Sequence, residues 1–179
     1  RAQLELPVML VMGDSSLLHS GLQGLVNAVP SNPDFTVVIM DNETTAETGM
    51  QPNPASRTGL HGIEQSGIDL KEIAEAAAGR KIEVIDPFKV EDTISALKDA
   101  MGEKGLSVII LKRPCALLVP PEDSYLIGKE CMSCGICIDT FGCSAIARRD
   151  GCIRIIEDEC RGCAVCADLC PEGAIHVID

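Results

Sequence analysis

Aromatic side chains are nearly missing from this chain, which has no Trp, one Tyr and three Phe among 179 residues. Any core must therefore be built from Val, Ile, Leu and Ala. Basic charge is also in short supply. Fifteen Lys and Arg against 27 Asp and Glu leave a net charge of −12. A phosphate backbone needs a basic face, so nucleic acid is excluded as a partner. No apolar run approaches the roughly 20 residues that span a bilayer. The best candidate, Gly105 to Val119, is interrupted by Lys112 and Arg113. No membrane anchor or signal peptide is expected, which points to the cytoplasm. The chain starts at Arg1 and soon enters an apolar strand, so it reads as a piece of something longer.

Cysteine is scarce only in places. Cys115 is the single one in the first 130 residues, and nine more fall between Cys131 and Cys170. A disulfide framework would be spread over the part that it staples. Here the larger, cysteine-poor part has aliphatic residues enough for its own core, so the crowded cysteines read as metal ligands.

The cysteine-poor part alternates strand and helix patterns. Residues 7–12 are continuously apolar and read as a buried strand. Leu17, Leu18, Leu22, Leu25 and Val26 recur at helical spacing, and Pro30 is expected to close that helix. Residues 35–40 form a second strand, and residues 41–66, rich in Asn, Thr, Gly and Pro, a long loop of the kind that usually carries function. A helix follows over 69–78, with Asp69 as N-cap and Gly79 as stop. Then come a strand at 81–85, a helix at 91–101 and a strand at 106–111. Such alternation builds a parallel sheet with helices on both faces, a doubly wound α/β fold. Pro114, Pro120 and Pro121 mark a break. The expected division is a first domain over 1–117, a linker over 118–128 and a cysteine domain over 129–179.

The cysteine domain contains an internal repeat. Glu130-Cys131-Met132-Ser133-Cys134-Gly135-Ile136-Cys137 is answered by Glu159-Cys160-Arg161-Gly162-Cys163-Ala164-Val165-Cys166. Each copy is followed by a further Cys (Cys143, Cys170) and by Ala-Ile. Three thiolates on one tight turn suit three corners of a cubane, and in two-cluster ferredoxins the fourth comes from the other run. That pairing gives Cys131, Cys134, Cys137 and Cys170 to cluster 1, and Cys160, Cys163, Cys166 and Cys143 to cluster 2. The second run, ending Cys170-Pro171, follows the ferredoxin pattern. The first departs from it, with five residues between Cys137 and Cys143 and Ser144 in place of Pro. A zinc ribbon uses two C-x2-C pairs, and two triplets exceed that. Cys152 and Cys115 are expected to pack as small hydrophobes.

A second site is suggested by Gly13-Asp14-Ser15, at the end of a strand and the start of a helix. Ligands of open parallel sheets bind at the carboxyl ends of strands, and a helix N-terminus favours phosphate. Asp14 would repel a bare phosphate unless a divalent cation lay between them. Residues 41–45, at the end of the next strand, add oxygen ligands that Mg²⁺ prefers. Twenty-seven residues separate Asp14 from Asn42, enough for a helix and a return strand. The residues thus outline a Mg²⁺-diphosphate site.

Gly13-Asp14-Ser15 followed by Asp41-Asn42 resembles the thiamine diphosphate motif. The longer pattern, with His19-Ser20-Gly21 and then Thr44-Thr45-Ala46, Thr48-Gly49 and Gln51-Pro52, resembles the 2-oxoacid:ferredoxin oxidoreductases. Within them it is most similar to the large subunit of the indolepyruvate-oxidising branch. Asp86-Pro87-Phe88, residues 112–117, the lengthened first cysteine run and the fused two-cluster module resemble that subunit too. The resemblance implies a thiamine diphosphate-binding doubly wound parallel sheet followed by an α+β ferredoxin module with two 4Fe–4S clusters. It places Asp14, Asn42 and Thr44 on Mg²⁺, with Gly13, Ser15 and Ser16 along the diphosphate. Thr45, Thr48, Gly49 and Gln51 would face the cofactor. His19 would lie near the reacting end, while a histidine on a packed helix face is an equal alternative. His61 and His176 read as structural. Leu17 and Leu18 stand where the family often has aromatics, and Glu47, Met50 and Asn53 replace its more usual Met, His and His.

The activity implied is oxidative decarboxylation of a 2-oxoacid, an aryl pyruvate by resemblance, to an acyl-coenzyme A. Electrons would pass through the clusters to an external ferredoxin in an anaerobic cell. No carboxylate suited to the cofactor's aminopyrimidine is evident. A pyrimidine-binding domain and a second, beta, subunit are therefore implied as partners. The alternative is an electron-transfer subunit whose thiamine-type fold is not catalytic.

Overall fold

The two middle strands of the first unit carry its core. Residues 35–41 and 106–112 are rich in Val, Ile and Leu, which suit a strand covered on both faces, and both stretches are almost wholly buried. They form β2 (Phe35–Asp41) and β4 (Leu106–Lys112) of the computed structural model, which describes residues 6–178. With β1 (Met9–Gly13) and β3 (Glu83–Ile85) they make a four-stranded parallel sheet in the order β1-β2-β4-β3. The chain divides into two compact units after Cys115.

Alternate side chains of the sheet point to opposite layers. Val37, Ile39, Val108 and Ile110 pack against Leu17, Leu25, Leu70 and Ala74. The last two belong to α3 (Leu70–Ala78), and the first two to a helical stretch of α1 (Asp14–Ser16), a π turn (Leu17–Gly21) and α2 (Leu22–Ala28). Val38, Ile85, Ile109 and Leu111 pack on the other side against Ala96, Leu97 and Ala100 of α4 (Val90–Gly102). Helices cover both faces, as expected of a doubly wound sheet. Each fully buried Leu, Ile or Val contributes about 1.5–3 kcal/mol. Gly21 lets the helical stretch lie close on β1, because a Cβ there would come within 2.9 Å of Met12 Sδ and 3.3 Å of the Ser16 carbonyl.

Asp69 caps α3 through Oδ1, which accepts from the N–H groups of Lys71 (2.9 Å) and Glu72 (3.2 Å). Gly79 ends the helix with φ +65°. Two readings are corrected. The first strand forms, but it is not buried: Leu10 and Val11 are 45% and 58% exposed. β1 is an edge strand that pairs only with β2 among the described residues. Its apolar run has the composition of a strand covered on both faces, but Met12 alone of its apolar residues packs against the helical stretch, while Met9, Leu10 and Val11 stay exposed. Nor does Pro30 close the first helix. It sits in a 3₁₀ turn (Val29–Ser31) that continues α2, where its missing N–H costs nothing. The chain turns instead at Asn32, which is left-handed (φ 36°).

In the second unit, β5 (Tyr125–Ile127) pairs antiparallel with β8 (Ile175–Val177), and β6 (Ile146–Arg149) with β7 (Cys152–Ile155). Residues 125–127 therefore form a strand within the stretch read as linker. Asp150 (φ 51°) and Gly151 (φ 77°) make the tight turn between β6 and β7, the conformation a two-residue hairpin favours. Cys152, just after that turn, is exposed, which corrects its reading as a packed hydrophobe. The core of this unit is Ile146, Ile153, Cys166 and Ile175, with Cys166 on α5 (Val165–Asp168).

Candidate functional site: a buried carboxylate at the sheet's carboxyl edge and two cysteine clusters

β1 and β2 are adjacent and parallel, with Gly13 opposite Met40. This register brings the residues after each strand together. Asp14 opens the helical stretch and is 1% exposed. Its Oδ1 accepts from the Ser15 N–H at 2.6 Å, while Oδ2 is buried without a hydrogen-bond partner. Burial pushes the Asp14 carboxyl up from its ordinary value, and the negative charge of Asp41 adds to this. The Ser15 N–H, the Asn53 side chain and the Glu43 backbone oppose the shift. Asn53 is itself buried with its Nδ2 unbonded.

The Asn/Thr loop closes over this carboxylate. Asn42 Oδ1 accepts from the Thr44 N–H (3.1 Å), and the Thr44 hydroxyl donates to the Gln51 carbonyl (3.2 Å). The Thr45 hydroxyl donates to Ser15 Oγ at 3.0 Å, joining the loop to the helix start. Thr48 and Gln51 bond each other, Oγ1 to Oε1 at 2.6 Å and Nε2 to carbonyl at 2.7 Å, on the exposed side of the loop. Gly49 is exposed between them with φ +115°. Ser16 and His19 are exposed, His19 on the π turn. The structure thus gathers Asp14, Ser15, Asn42, Thr44 and Thr45, while Ser16, His19, Thr48, Gly49 and Gln51 lie at the rim.

A buried carboxylate oxygen without a partner is costly, and a divalent cation with oxygen ligands satisfies it. Asn42 and the Thr44 carbonyl would supply the further oxygens. At Gly13 a Cβ would meet nothing within 4 Å, so the backbone before Asp14 is open to close approach by a ligand. The residues present fit a Mg²⁺-bound diphosphate.

Sequence reading missed the pairing beside this carboxylate. Asp41, 2% exposed, lies opposite Lys112 in the β2–β4 register, and Lys112 Nζ donates to its Oδ2 at 2.8 Å. Desolvation would lower the Lys112 pKa, but the bond and charge of Asp41 and the charge of Glu43 outweigh it and raise the value. Asp41 Oδ1 stays unbonded. The available signal was the equal position of Asp41 and Lys112 at the ends of two predicted parallel strands. Cys115 is half-buried, and its N–H donates to the Asn42 carbonyl (3.0 Å).

In the second unit the two repeats place Gly135 (φ 85°) and Ala164 (φ 64°) in the same left-handed turn before the third cysteine of each run. Cys131, Cys134, Cys137 and Cys170 line one cavity, walled by Ile127, Ile153 and Ile175. Burial raises the Cys137 thiol, and the neighbours that raise it further are Cys131, Cys134 and Cys170. Burial likewise pushes Cys166 up to about 12, helped by Cys163, Cys143 and Cys160. Eight of the ten thiols thus fall into these two sets of neighbours. Among the described residues no three His, Cys, Asp or Glu converge as ligands of one ion. A cubane holds its thiolates on four different irons, so such convergence is not required of it.

A parallel sheet with a buried carboxylate oxygen left without a partner at its carboxyl edge, followed by a cysteine-rich α+β unit, defines a cofactor domain fused to an iron–sulfur module. Residues 2–111 match the model of the thiamine pyrophosphate enzyme C-terminal TPP-binding domain, and residues 153–176 match the 4Fe-4S binding domain. The chain belongs to the thiamine pyrophosphate enzymes, represented here by their C-terminal TPP-binding domain. It is 34% identical to the indolepyruvate oxidoreductase subunit IorA of Archaeoglobus fulgidus, over 94% of this chain and 28% of that protein. To the same subunit of Methanothermobacter thermautotrophicus it is 36% identical, over 92% of this chain and 27% of that protein. The chain thus spans little more than a quarter of these relatives. A solved 2-oxoglutarate:ferredoxin oxidoreductase of Magnetococcus marinus, with 2-oxoglutarate, coenzyme A and succinyl-CoA bound, shares the fold. Its TM-score is 0.52 at 19% identity, over 60% of this chain and 40% of that one. Among the described residues no helix is long and apolar enough to cross a membrane.

Proposed function

We propose that the chain is the cofactor- and cluster-bearing part of a thiamine diphosphate-dependent 2-oxoacid:ferredoxin oxidoreductase. The observation that supports it best is the buried Asp14 carboxylate, whose Oδ2 has no hydrogen-bond partner, on the same chain as eight thiols in two sets of neighbours. Asp14, Asn42 and the Thr44 carbonyl would hold Mg²⁺, and Ser15 and Ser16 the diphosphate. Thr45, Thr48, Gly49 and Gln51 would line the rest of the cofactor, with His19 toward its reacting end. Bound there, thiamine diphosphate supplies the carbanion chemistry that decarboxylates a 2-oxoacid.

The protein's part is the metal clamp, the orientation of the diphosphate at a helix start, and the path for electrons. Cys131, Cys134, Cys137 and Cys170 would bind one 4Fe–4S cluster, and Cys160, Cys163, Cys166 and Cys143 the other. Two one-electron acceptors on the cofactor's own chain suit an oxidative decarboxylation, and a non-oxidative one has no use for them. The names of the IorA relatives favour indolepyruvate, and the sequence resemblance extends this to another aryl pyruvate, with coenzyme A as acyl acceptor and a ferredoxin as electron acceptor. A pyrimidine-binding domain and a beta subunit would complete the site in an anaerobic cytoplasm.

The test is to reconstitute the chain anaerobically, count iron and bound thiamine diphosphate, and assay ferredoxin reduction with the complementing polypeptides. About eight irons, one cofactor and 2-oxoacid-dependent reduction that is lost in Asp14→Ala are expected. Full activity in Asp14→Ala would make the first unit a non-catalytic platform.

A further inference from the structure

The two cysteine runs are repeats, yet they differ in cover and in the charge around them. Residues 116–124 lie on the second run. The Arg161 guanidinium donates to the carbonyls of Ala116 and Val119, and a Cβ at Gly162 would lie 2.7 Å from the Glu122 backbone carbon. Acid surrounds this run. Glu122 and Asp123 overlie it, Glu157, Asp158 and Glu159 lead into it, and Asp168 ends α5. The first run is more open. Cys134 is exposed and Cys137 half-buried, where their counterparts Cys163 and Cys166 are half-buried and buried. Met132 is 68% exposed. Beside this run stands the β6–β7 hairpin, with Arg148, Arg149 and Arg154 against one acid, Asp150. The only other basic residues of the second unit are Lys129 and Arg161. All three hairpin arginines are exposed. Arg148 reaches the first loop: a Cβ at Gly135 would lie 3.1 Å from its Nη2, and Asp139 Oδ2 is 3.6 Å away. Arg154 lines a cavity of about 500 Å³ together with Cys131, Ser133, Cys152 and Glu157. Arg149 is opposite Cys152 in the hairpin register.

A one-electron carrier must come close to the cluster it draws from, because electron transfer slows steeply with distance. Charge steers such encounters and suppresses wrong faces more than it adds affinity. The chain carries −12 overall, so an acidic carrier is repelled by most of its surface and attracted at the arginine hairpin. A basic carrier would be drawn instead to the acids around the second run, which residues 116–124 overlie. We propose that an acidic one-electron carrier protein docks on the hairpin arginines and the first cysteine loop, with Met132 as an apolar contact. The first run is then the exit. One electron passes from the reduced cluster on Cys131, Cys134, Cys137 and Cys170 to the oxidised carrier, with no bond or proton changing place. This rests on the ferredoxin-linked, two-cluster reading above and adds the charge of the partner and the place where it sits.

The experiment assembles the reconstituted chain with its complementing polypeptides and uses an acidic ferredoxin as the carrier. Calorimetry with oxidised ferredoxin gives its Kd, and reduction of ferredoxin and of methyl viologen is assayed beside it. In Arg149→Glu/Arg154→Glu, Kd and KM for ferredoxin are expected to rise about tenfold at low salt. The difference should largely vanish near 1 M salt, where the Debye length is about 3 Å. Iron content and methyl viologen reduction stay at the wild-type level. Met132→Glu, on the loop itself, should also weaken ferredoxin binding, and it decides should the arginine variant not hold iron. Unchanged binding, or a rise in the arginine variant that salt does not remove, overturns the proposal. About tenfold tighter binding in Asp158→Lys also overturns it, by putting the carrier at the second run. Loss of the complementing polypeptides from the arginine variant in size-exclusion chromatography overturns it too, by making the hairpin a subunit interface. A wild type without about eight irons, or without reduction of either acceptor, would instead overturn the ferredoxin-linked reading itself.

Discussion

Asp14 is raised by burial, so its proton is held more tightly in the folded chain than in the unfolded one. The stability this contributes is full below the ordinary carboxylate value of 3.8 and is lost as pH rises through the raised value. Cation-free chain should therefore lose thermal stability over that window, and Mg²⁺ with thiamine diphosphate should restore it, with affinity rising with pH as the proton leaves. Denaturation midpoints with and without Mg²⁺ across that range check both signs. Asp14→Asn keeps the shape and removes the charge. Calorimetry should show Mg²⁺-dependent cofactor binding weakened by about 100-fold or more, with iron content unchanged. Lys112→Met leaves the Asp41 carboxylate buried without its partner. Chemical denaturation should show a loss of about 1–3 kcal/mol, smaller in the Lys112→Met/Asp41→Asn pair because the two residues couple.

At the scale of elements, α3 shows how much of a helix can be read from its ends. Asp69 and Gly79 were legible because a capping carboxylate and a left-handed stop are local devices, and each acts as the sequence implies. Asp69→Ala should cost about 1 kcal/mol, measured by urea denaturation of the whole chain. β1 was legible as a strand but not as an exposed one, because its apolar run reports composition and exposure depends on neighbours. The Asp41–Lys112 pair was illegible for a related reason: residues 71 positions apart become partners only through the β2–β4 register. The two cysteine runs were the most legible elements of all, since C-x2-C-x2-C confines three thiolates to one turn wherever it occurs.

For the whole molecule, the exposed β1 edge is a liability. Leu10 and Val11 offer apolar side chains on opposite faces of a strand paired along one edge only among the described residues, a template for aggregation. Leu10→Thr with Val11→Thr should raise the concentration at which the chain stays monomeric, read by light scattering, while leaving the cluster content unchanged.

The sequence by itself determined the two-unit plan, the order of strands and helices along the chain, and the residue types at the candidate cation and cluster sites. Periodicity, caps and tight cysteine spacing are local and survive any arrangement of the rest. Tertiary structure decided that Asp14 and Asp41 each keep one buried carboxylate oxygen without a partner and that Lys112 neutralises Asp41. Each of these depends on strand register or on chain segments far apart in sequence, and burial turns such proximity into energy.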